Sequence, residues 1–198
     1  YGADVVAYVA DVGQEQELEG LEAKALKSGA SRVVIQDLQK PFVEEFIWPT
    51  LRAGSLYQGK YTMATSLARY PIARGQAELA LKIGAEALSH GCTGKGNDQV
   101  RFELTFAAFA PNLKVIAPWR DPKWRIKSRE DAMDYAKARG IPVPTTAKKP
   151  YSSDRNLWHI SYEGGILEDL DQAPTEDMFQ LTRDPRKAPN KPETVKLG

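Results

Sequence analysis

Cysteine is nearly absent: Cys92 is the only one in 198 residues. A single thiol allows no internal disulfide and no cysteine metal cage. Histidine is almost as scarce, with two residues, so a zinc site is not expected. Excess charge is missing too. The net charge is +1, which gives no bulk electrostatic reason for a nucleic-acid or membrane-surface partner. No apolar run reaches membrane-spanning length, no signal peptide is visible, and no internal repeat stands out. A reducing cytoplasmic setting is the default expectation. What remains is an ordinary globular composition, 42% hydrophobic and 27% charged. The length suits one sizeable core, with one domain and part of another. The first residue is not Met. The chain opens at Tyr1-Gly2-Ala3 and enters a strand at once, which suggests a truncated copy.

Taken in order, Asp4-Val5-Val6-Ala7-Tyr8-Val9-Ala10 is a short apolar run, typical of a strand buried on both faces of a parallel sheet. Asp11-Val12-Gly13 turns the chain. Leu18, Leu21, Ala25 and Leu26 mark a helix that stops near Gly29. Val33-Val34-Ile35 is the next strand, closed by Asp37. Pro41 opens a helix at a first-turn position, with Phe42, Phe46 and Ile47 inward. Residues 54–59 are a break, and 61–69 carry the hydroxyls Thr65 and Ser66. An Ala/Leu-rich helix is predicted over 72–83, then a strand ending at Ser89, a helix, and a strand over 113–117. Alternating βαβα order predicts a parallel sheet with right-handed crossovers. Ligands of open α/β sheets sit at the carboxyl ends of strands, here Ala10, Ser89 and Trp119.

Beyond Trp119, residues 121–129 are basic around Trp124 and read as a solvated loop. Ser128-Arg129-Glu130-Asp131 resembles a capping box whose helix ends at Gly140. Ile141-Pro142-Val143-Pro144 reads as an extended domain crossing, so the domains are expected at 1–140 and 141–198. Residues 152–167 mix hydroxyls with His159, Tyr162 and Glu163. The tail from Asp184 is rich in proline and charge.

The most informative stretch is Ser89-His90-Gly91-Cys92-Thr93-Gly94-Lys95-Gly96-Asn97-Asp98-Gln99-Val100-Arg101-Phe102-Glu103. Three glycines within six residues cannot lie inside a helix or strand. Val100, Leu104, Ala107 and Ala108 then recur at helical spacing, and Asn97 or Asp98 is a plausible N-cap. A helix N-terminus beside Lys95 suits an anion. Asn97, Asp98 and Arg101 cluster on one side of the first turn. They offer a carboxylate for an ammonium and a guanidinium for a carboxylate, the equipment for holding amino acids beside a phosphate. A Walker loop is ruled out, since Ser89 and Gly96 occupy positions that need Gly and Ser or Thr. The dinucleotide fingerprint fails at Gln99. Helical spacing makes Asp98 the local ion-pair partner of Arg101. His90 and Cys92 suggest a thiol catalyst, but no third group is positioned by sequence. His159 reads as a packing or hydrogen-bonding residue, and Ser152 and Ser161, taken alone, as loop caps.

The same stretch resembles the signature of argininosuccinate synthases. The likeness continues through Phe42-Val43-Glu44-Glu45-Phe46-Ile47-Trp48-Pro49, Thr65-Ser66-Leu67-Ala68-Arg69, Lys114-Val115-Ile116-Ala117-Pro118-Trp119-Arg120 and His159-Ile160-Ser161-Tyr162-Glu163. The resemblance implies an α/β fold: a parallel-sheet adenine-nucleotide α-hydrolase-like (ATP pyrophosphatase) domain, followed by the start of an α+β synthetase domain. It implies an AMP-forming carbon–nitrogen ligase of arginine biosynthesis and the urea cycle, coupling citrulline to aspartate through a citrullyl-adenylate. By the family motifs, Ala10 and Gly91 contact ATP. Tyr61, Ser66, Asn97, Arg101, Ser152 and Ser161 hold citrulline. Thr93, Asn97 and Asp98 hold aspartate. No residue is assigned as nucleophile or metal ligand, Mg²⁺ is expected with the ATP, and the family implies a homotetramer.

Two departures qualify what the resemblance implies. The family's pyrophosphate loop, Ser-Gly-Gly-Leu-Asp-Thr-Ser, lies in the first strand–helix unit and this chain starts after it, so a segment of about one strand plus one helix, roughly 20 to 30 residues at usual element lengths, is expected to be missing. Cys92 stands where the family commonly has Ala. The chain alone is therefore expected not to turn over. Two other readings stay open: another ATP pyrophosphatase built on the same sheet, and a non-catalytic ligand-binding or scaffolding remnant.

Overall fold

The computed structural model describes residues 2–94, 96–126, 129–141 and 151–196. Strand β1 (Val6–Asp11) is followed by a 3-10 turn (Glu15–Leu18), helix α1 (Leu21–Lys27) and strand β2 (Arg32–Asp37). The two strands pair in parallel, with Val6 opposite Arg32 and Asp11 opposite Asp37. Residues 39–52 form one helical run, α2 (Gln39–Pro41), a π-helical stretch (Phe42–Ile47) and α3 (Trp48–Arg52). Helix α4 (Ala64–Ile83) leads to β3 (Ala87–Ser89), α5 (Asn97–Phe109) and β4 (Lys114–Ile116), with β3 and β4 again parallel. Helix α6 (Arg129–Ala138) comes next, and the antiparallel hairpin β5 (Ser152–Arg155) and β6 (Ile160–Glu163) follows.

Helix α4 is the spine. Its small residues Ala64, Ala68, Ala73, Gly75, Ala77 and Ala80 are all buried, so strands and helices approach it closely. One core gathers Ala68 with Ala10, Val12, Leu38, Phe42 and Ile47, covered by Tyr8 and Trp158. The other gathers Ala73, Ala77 and Ala80 with Leu88, Phe106 and Ala110. Thus α4 holds the β1–β2 and β3–β4 pairs side by side.

Several sequence expectations need correction. Strand β1 is not buried on both faces: most of it is only half-buried, and Val5 ahead of it is 55% exposed. Leu18 lies in a separate turn ahead of α1. Pro41 does stand in the first turn of its helical run, as the third residue counting from Gln39. Helix α4 starts at Ala64, not Ile72, and continues through buried Pro71. Its packing on both cores outweighs the single hydrogen bond that proline forfeits. The stripe that signals α5 is not its buried face. Val100 and Leu104 are 49% and 65% exposed, whereas Thr105 and Phe106 are buried, because α5 turns its aromatic face to α4 and β3. The Ser128 capping position and the Pro142–Pro144 crossing lie outside the described residues.

Gly75 sets the distance between α4 and β1. A Cβ there would stand 2.2 Å from Tyr8 Oη, and that hydroxyl donates to Gln36 Oε1 at 2.9 Å. Burial, together with the charge of Glu78, pushes the Tyr8 phenol up to about 12, so it stays a donor. Gly75→Ala gains about 1 kcal/mol of helix propensity but overpacks this contact by about 1–3 kcal/mol. Urea unfolding is expected to show a net loss, partly recovered when Tyr8→Phe is added. A more stable Gly75→Ala chain would show that the contact is loose.

Candidate functional site

The loops at the carboxyl ends of β1, β3 and β4 lie where parallel sheets bind ligands. After β1, the chain is locked by its own polar groups. The Gly13 amide donates to Asp11 Oδ1 and the Val12 amide to Gln14 Oε1, both at 2.8 Å. Gln14 Nε2 donates back to the Ala10 carbonyl at 2.7 Å. Ala10 itself is buried.

After β3, residues 90–94 are held by several hydrogen bonds. The Cys92 amide donates to His90 Nδ1 at 3.3 Å. His90 Nε2 lies 3.1 Å from Glu103 Oε1, which also pairs with Arg120 Nη1 at 3.1 Å. Gln99 Nε2 donates to the Gly94 carbonyl at 3.2 Å. Helix α5 then begins with Gly96 as its N-cap, without a side-chain cap bond. Neither Asn97 nor Asp98 caps it, because both have already entered the first turn. Lys95 lies outside the described residues. Burial, helped by the Asp98 charge, pushes the Cys92 thiol up. It is therefore a protonated thiol and a poor nucleophile.

Asp98 is the electrostatic centre. Its Oδ2 accepts from Arg69 Nε at 2.9 Å and its Oδ1 from Arg101 Nη1 at 2.7 Å. Arg69 Nη2 also reaches Asp154 Oδ1 at 3.4 Å. Burial pushes the Asp98 carboxyl up, but the bonds and charges of Arg69 and Arg101 outweigh it and hold it below its ordinary value. Burial likewise opposes the Arg69 charge, and Asp98 and Asp154 together reverse that effect. Three elements, α4, α5 and β5, are thus tied through one guanidinium.

The start of α4 meets the β5–β6 hairpin. Thr65 and Ser161 share a hydroxyl hydrogen bond of 3.0 Å. The Ala64 amide donates to His159 Nε2 at 3.4 Å, and Asn156 Nδ2 donates to the Ala64 carbonyl at 3.1 Å. The Tyr61 ring lies 5.3 Å from the His159 ring. Burial lowers the His159 pKa, which suits its role as an acceptor. Met63, the N-cap of α4, sits at φ 56°, a left-handed conformation costly for a side-chain-bearing residue. An open cavity of about 590 Å³ runs along this seam, lined by Tyr61, Thr62, His159, Ser161 and Tyr162 among others.

Asp98 and Arg101 are thus tied to α4 through Arg69, whereas Ser161 and Tyr61 meet the head of α4 through Thr65 and His159. Asn97 stands exposed on the same turn as Asp98, and Ser66 lies in the first turns of α4. Ser152 and Ser161 are strand residues rather than loop caps. Ser152 pairs with Glu163 at the far end of the hairpin register. Ala10 and exposed Gly91 belong to two different strand-end loops. The sequence reading did not single out Arg69, Asp154, Glu103 or Arg120. Arg69 was within reach: Thr65 and Arg69 are four apart, one face of a helix, once α4 is allowed to start early.

A family model described as "Arginosuccinate synthase N-terminal HUP domain" matches residues 1–142. Another, "Arginosuccinate synthase C-terminal domain", matches residues 151–198. The chain belongs to the argininosuccinate synthase family. Its fold is the adenine-nucleotide α-hydrolase-like domain of that family with the start of the synthetase domain. Argininosuccinate synthase of Carboxydothermus hydrogenoformans is 59% identical over 197 residues, covering 100% of this chain and 49% of that protein. The Desulforamulus reducens argininosuccinate synthase is 60% identical over 198 residues, again 100% of this chain and 49% of its own length. A chloroplastic argininosuccinate synthase of Arabidopsis thaliana is 55% identical over 199 residues, 100% of this chain and 40% of its own. The chain spans about half the length of these bacterial relatives. Among the described residues, no helix of this family member is long and apolar enough to cross a membrane.

Proposed function

We propose that this chain is the nucleotide- and amino-acid-binding part of an ATP-dependent ligase that joins citrulline to aspartate, a step of arginine biosynthesis. The observation that carries the proposal is the Arg69–Asp98–Arg101 cluster, which joins α4 to the start of α5 and, through Asp154, to the β5–β6 hairpin. A guanidinium has five donors, and Arg101 spends one on Asp98. The others remain for the citrulline carboxylate, with Tyr61, Ser66, Asn97, Ser152 and Ser161 as further contacts. The Asp98 carboxylate has lone pairs beyond its two guanidinium bonds, and these accept the aspartate ammonium. Thr93 and Asn97 face the aspartate carboxylates. Ala10 and Gly91 present backbone to ATP.

In this reading the citrulline ureido oxygen attacks the α-phosphorus, and the bond to pyrophosphate breaks. The aspartate amine then attacks the ureido carbon of the adenylate. The carbon–oxygen bond to AMP breaks, and the amine proton leaves to solvent. Side chains act by positioning and by fixed charge rather than as nucleophiles. Mg²⁺ belongs with the ATP phosphates in such chemistry. The described residues do not fit a protein-held ion: none of their His, Cys, Asp and Glu side chains cluster in threes, and Asp98 is taken by two guanidiniums. No step is assigned to the metal. A cytoplasmic homotetramer completes the proposal; the plant relative is chloroplastic by name.

The test is a chimera in which these residues replace the matched 197-residue segment of the Carboxydothermus hydrogenoformans protein. It is expected to form argininosuccinate from citrulline, aspartate and ATP, releasing AMP and pyrophosphate. A folded chimera that releases neither overturns the proposal and favours the scaffolding remnant. In the active chimera, Arg101→Lys keeps charge but loses the planar fork. Its citrulline affinity is expected to fall about tenfold or more, as for a lost charge-assisted bond, with ATP affinity nearly unchanged. Titration calorimetry of the two ligands separates this from an equal loss of both, which would mark Arg101 as structural.

A further inference from the structure

We propose that His90, which the ligand assignments above do not include, is a positioning residue that fixes the ligand-binding loop through a single neutral tautomer. The inference rests on the proposed reading of Gly91 and Thr93 as ligand contacts.

The geometry leaves His90 one protonation pattern. Its side chain is 2% exposed and lies among the rings of Phe102 and Phe106, whose centroids are 5.8 Å and 6.3 Å away. Its backbone amide is tied to the Ile116 carbonyl of β4 at 3.3 Å. Nδ1 receives the Cys92 amide proton, so Nδ1 must offer a lone pair. A neutral imidazole has one donor and one acceptor. The proton therefore sits on Nε2 and donates to Glu103 Oε1 at 3.1 Å. Glu103 is held in turn by Arg120, whose Cγ would lie only 3.1 Å from a Cβ on Gly94. The link runs from Cys92 through His90, Glu103 and Arg120 to the flank of Gly94, enclosing the loop that carries Gly91 and Thr93.

Consequently the Cys92 amide cannot turn toward a ligand, and the directions of Gly91 and Thr93 on either side are set before any ligand arrives. This is pre-organisation: the ordering cost is met in folding rather than in binding. His90 touches no reacting atom in this scheme and acts through the Cys92 backbone.

Two substitutions separate its two bonds. An Asn oxygen attaches where Nδ1 does and keeps an acceptor for Cys92, but it falls short of Glu103. A Gln amide reaches the Nε2 position and Glu103, but leaves Cys92 without its acceptor. Both remove the ring from the Phe102–Phe106 contact. The experiment starts from the 198-residue chain labelled with ¹⁵N-histidine, in which only His90 and His159 report. Long-range proton–nitrogen correlation is expected to show His90 protonated at Nε2 alone. Protonation at Nδ1, alone or with Nε2, overturns the proposal without any variant having to fold.

For His90→Asn and His90→Gln, amide exchange at Cys92 is then measured in the 198-residue chain and ATP affinity in the chimera. One neutral hydrogen bond corresponds to roughly five- to tenfold. His90→Gln is expected to speed Cys92 exchange and weaken ATP by that factor, and His90→Asn to stay within about twofold. Equal losses in both variants, following their thermal stability, mean that His90 only fills space and overturn the proposal. If the parent chimera binds no ATP, the proposed function fails at that point, while the tautomer and Cys92 exchange in the 198-residue chain still decide the role of His90.

Discussion

Replacing Asp98 with Asn is expected to destabilise the chain by about 2–3 kcal/mol, the scale of charge-assisted bonds lost from a partly buried site. The carboxylate accepts from Arg69 at 2.9 Å and Arg101 at 2.7 Å. With Asn, one neutral carbonyl oxygen is left for two guanidiniums, and among the described residues the ion pair left to Arg69 is with Asp154, at 3.4 Å. Its side chain is 24% exposed, too little for water to replace the lost partner fully. The pH dependence follows with a definite sign. The folded carboxyl sits below its ordinary value of 3.8, so its contribution is fully present above that pH. The contribution is lost as the pH falls through the lower folded value. Urea unfolding at pH 7 should therefore show the full cost of Asp98→Asn, and at pH 3 a smaller one. In the chimera, argininosuccinate formation should drop further than citrulline-dependent pyrophosphate exchange, because adenylation does not need the aspartate ammonium. Equal stability of parent and variant at pH 7 would remove Asp98 from the centre of the site. An equal fall in both half-reactions would move it from the aspartate contact to the loop's shape.

The parts of this site that were legible in the sequence are those set by short-range spacing. Asp98 and Arg101 are three apart on a helix, and the structure joins them at 2.7 Å. The parallel pairing of the strands around residues 6–10 and 33–35 followed from their apolar runs and the alternating order. The illegible parts all depend on where a long helix begins. With α4 started at Ile72, Thr65 and Arg69 belonged to no element and faced nothing. Started at Ala64, they share a face that meets Ser161 and Asp154. A proline at position 71 argues locally against that start, and only tertiary burial of Pro71 overrules it. The face of α5 was misread for a related reason. Val100 and Leu104 have the right spacing, but so do Phe102, Thr105 and Phe106, and spacing alone cannot say which face meets α4. Glu103, the side-chain partner of His90, lies 13 residues away on α5, and its own partner Arg120 lies beyond β4; nothing within one element predicts them.

The same dependence on distant packing makes Gly13→Ala the other costly substitution. Gly13 follows β1 at φ 91°, a conformation that costs a side-chain-bearing residue about 1–2 kcal/mol. A Cβ there would lie 2.5 Å from Leu157 Cγ and 3.0 Å from the Leu157 backbone nitrogen. The side chain of Leu157 is 44% exposed and can swing aside. Its backbone cannot, because its amide donates to the Val12 carbonyl at 2.8 Å. That bond, the Arg155–Glu15 ion pair at 2.6 Å and Trp158 on the first core fasten the β5–β6 hairpin to the end of β1. Overpacking adds about 1–3 kcal/mol, for a total of about 2–5 kcal/mol. Gly20→Ala is the control. Gly20 also has positive φ, 72°, but nothing lies within 4 Å of its added Cβ, so it carries the backbone cost alone. Chemical denaturation of the two variants, with amide exchange at Leu157, isolates the contact. Gly13→Ala is expected to unfold at clearly lower denaturant than Gly20→Ala and to exchange the Leu157 amide faster. If the two variants are equally stable and Leu157 exchange is unchanged, the hairpin is not held at Gly13. Among the described residues, the ties between the two family segments would then be Arg69, the head of α4, the Arg155–Glu15 pair and Trp158.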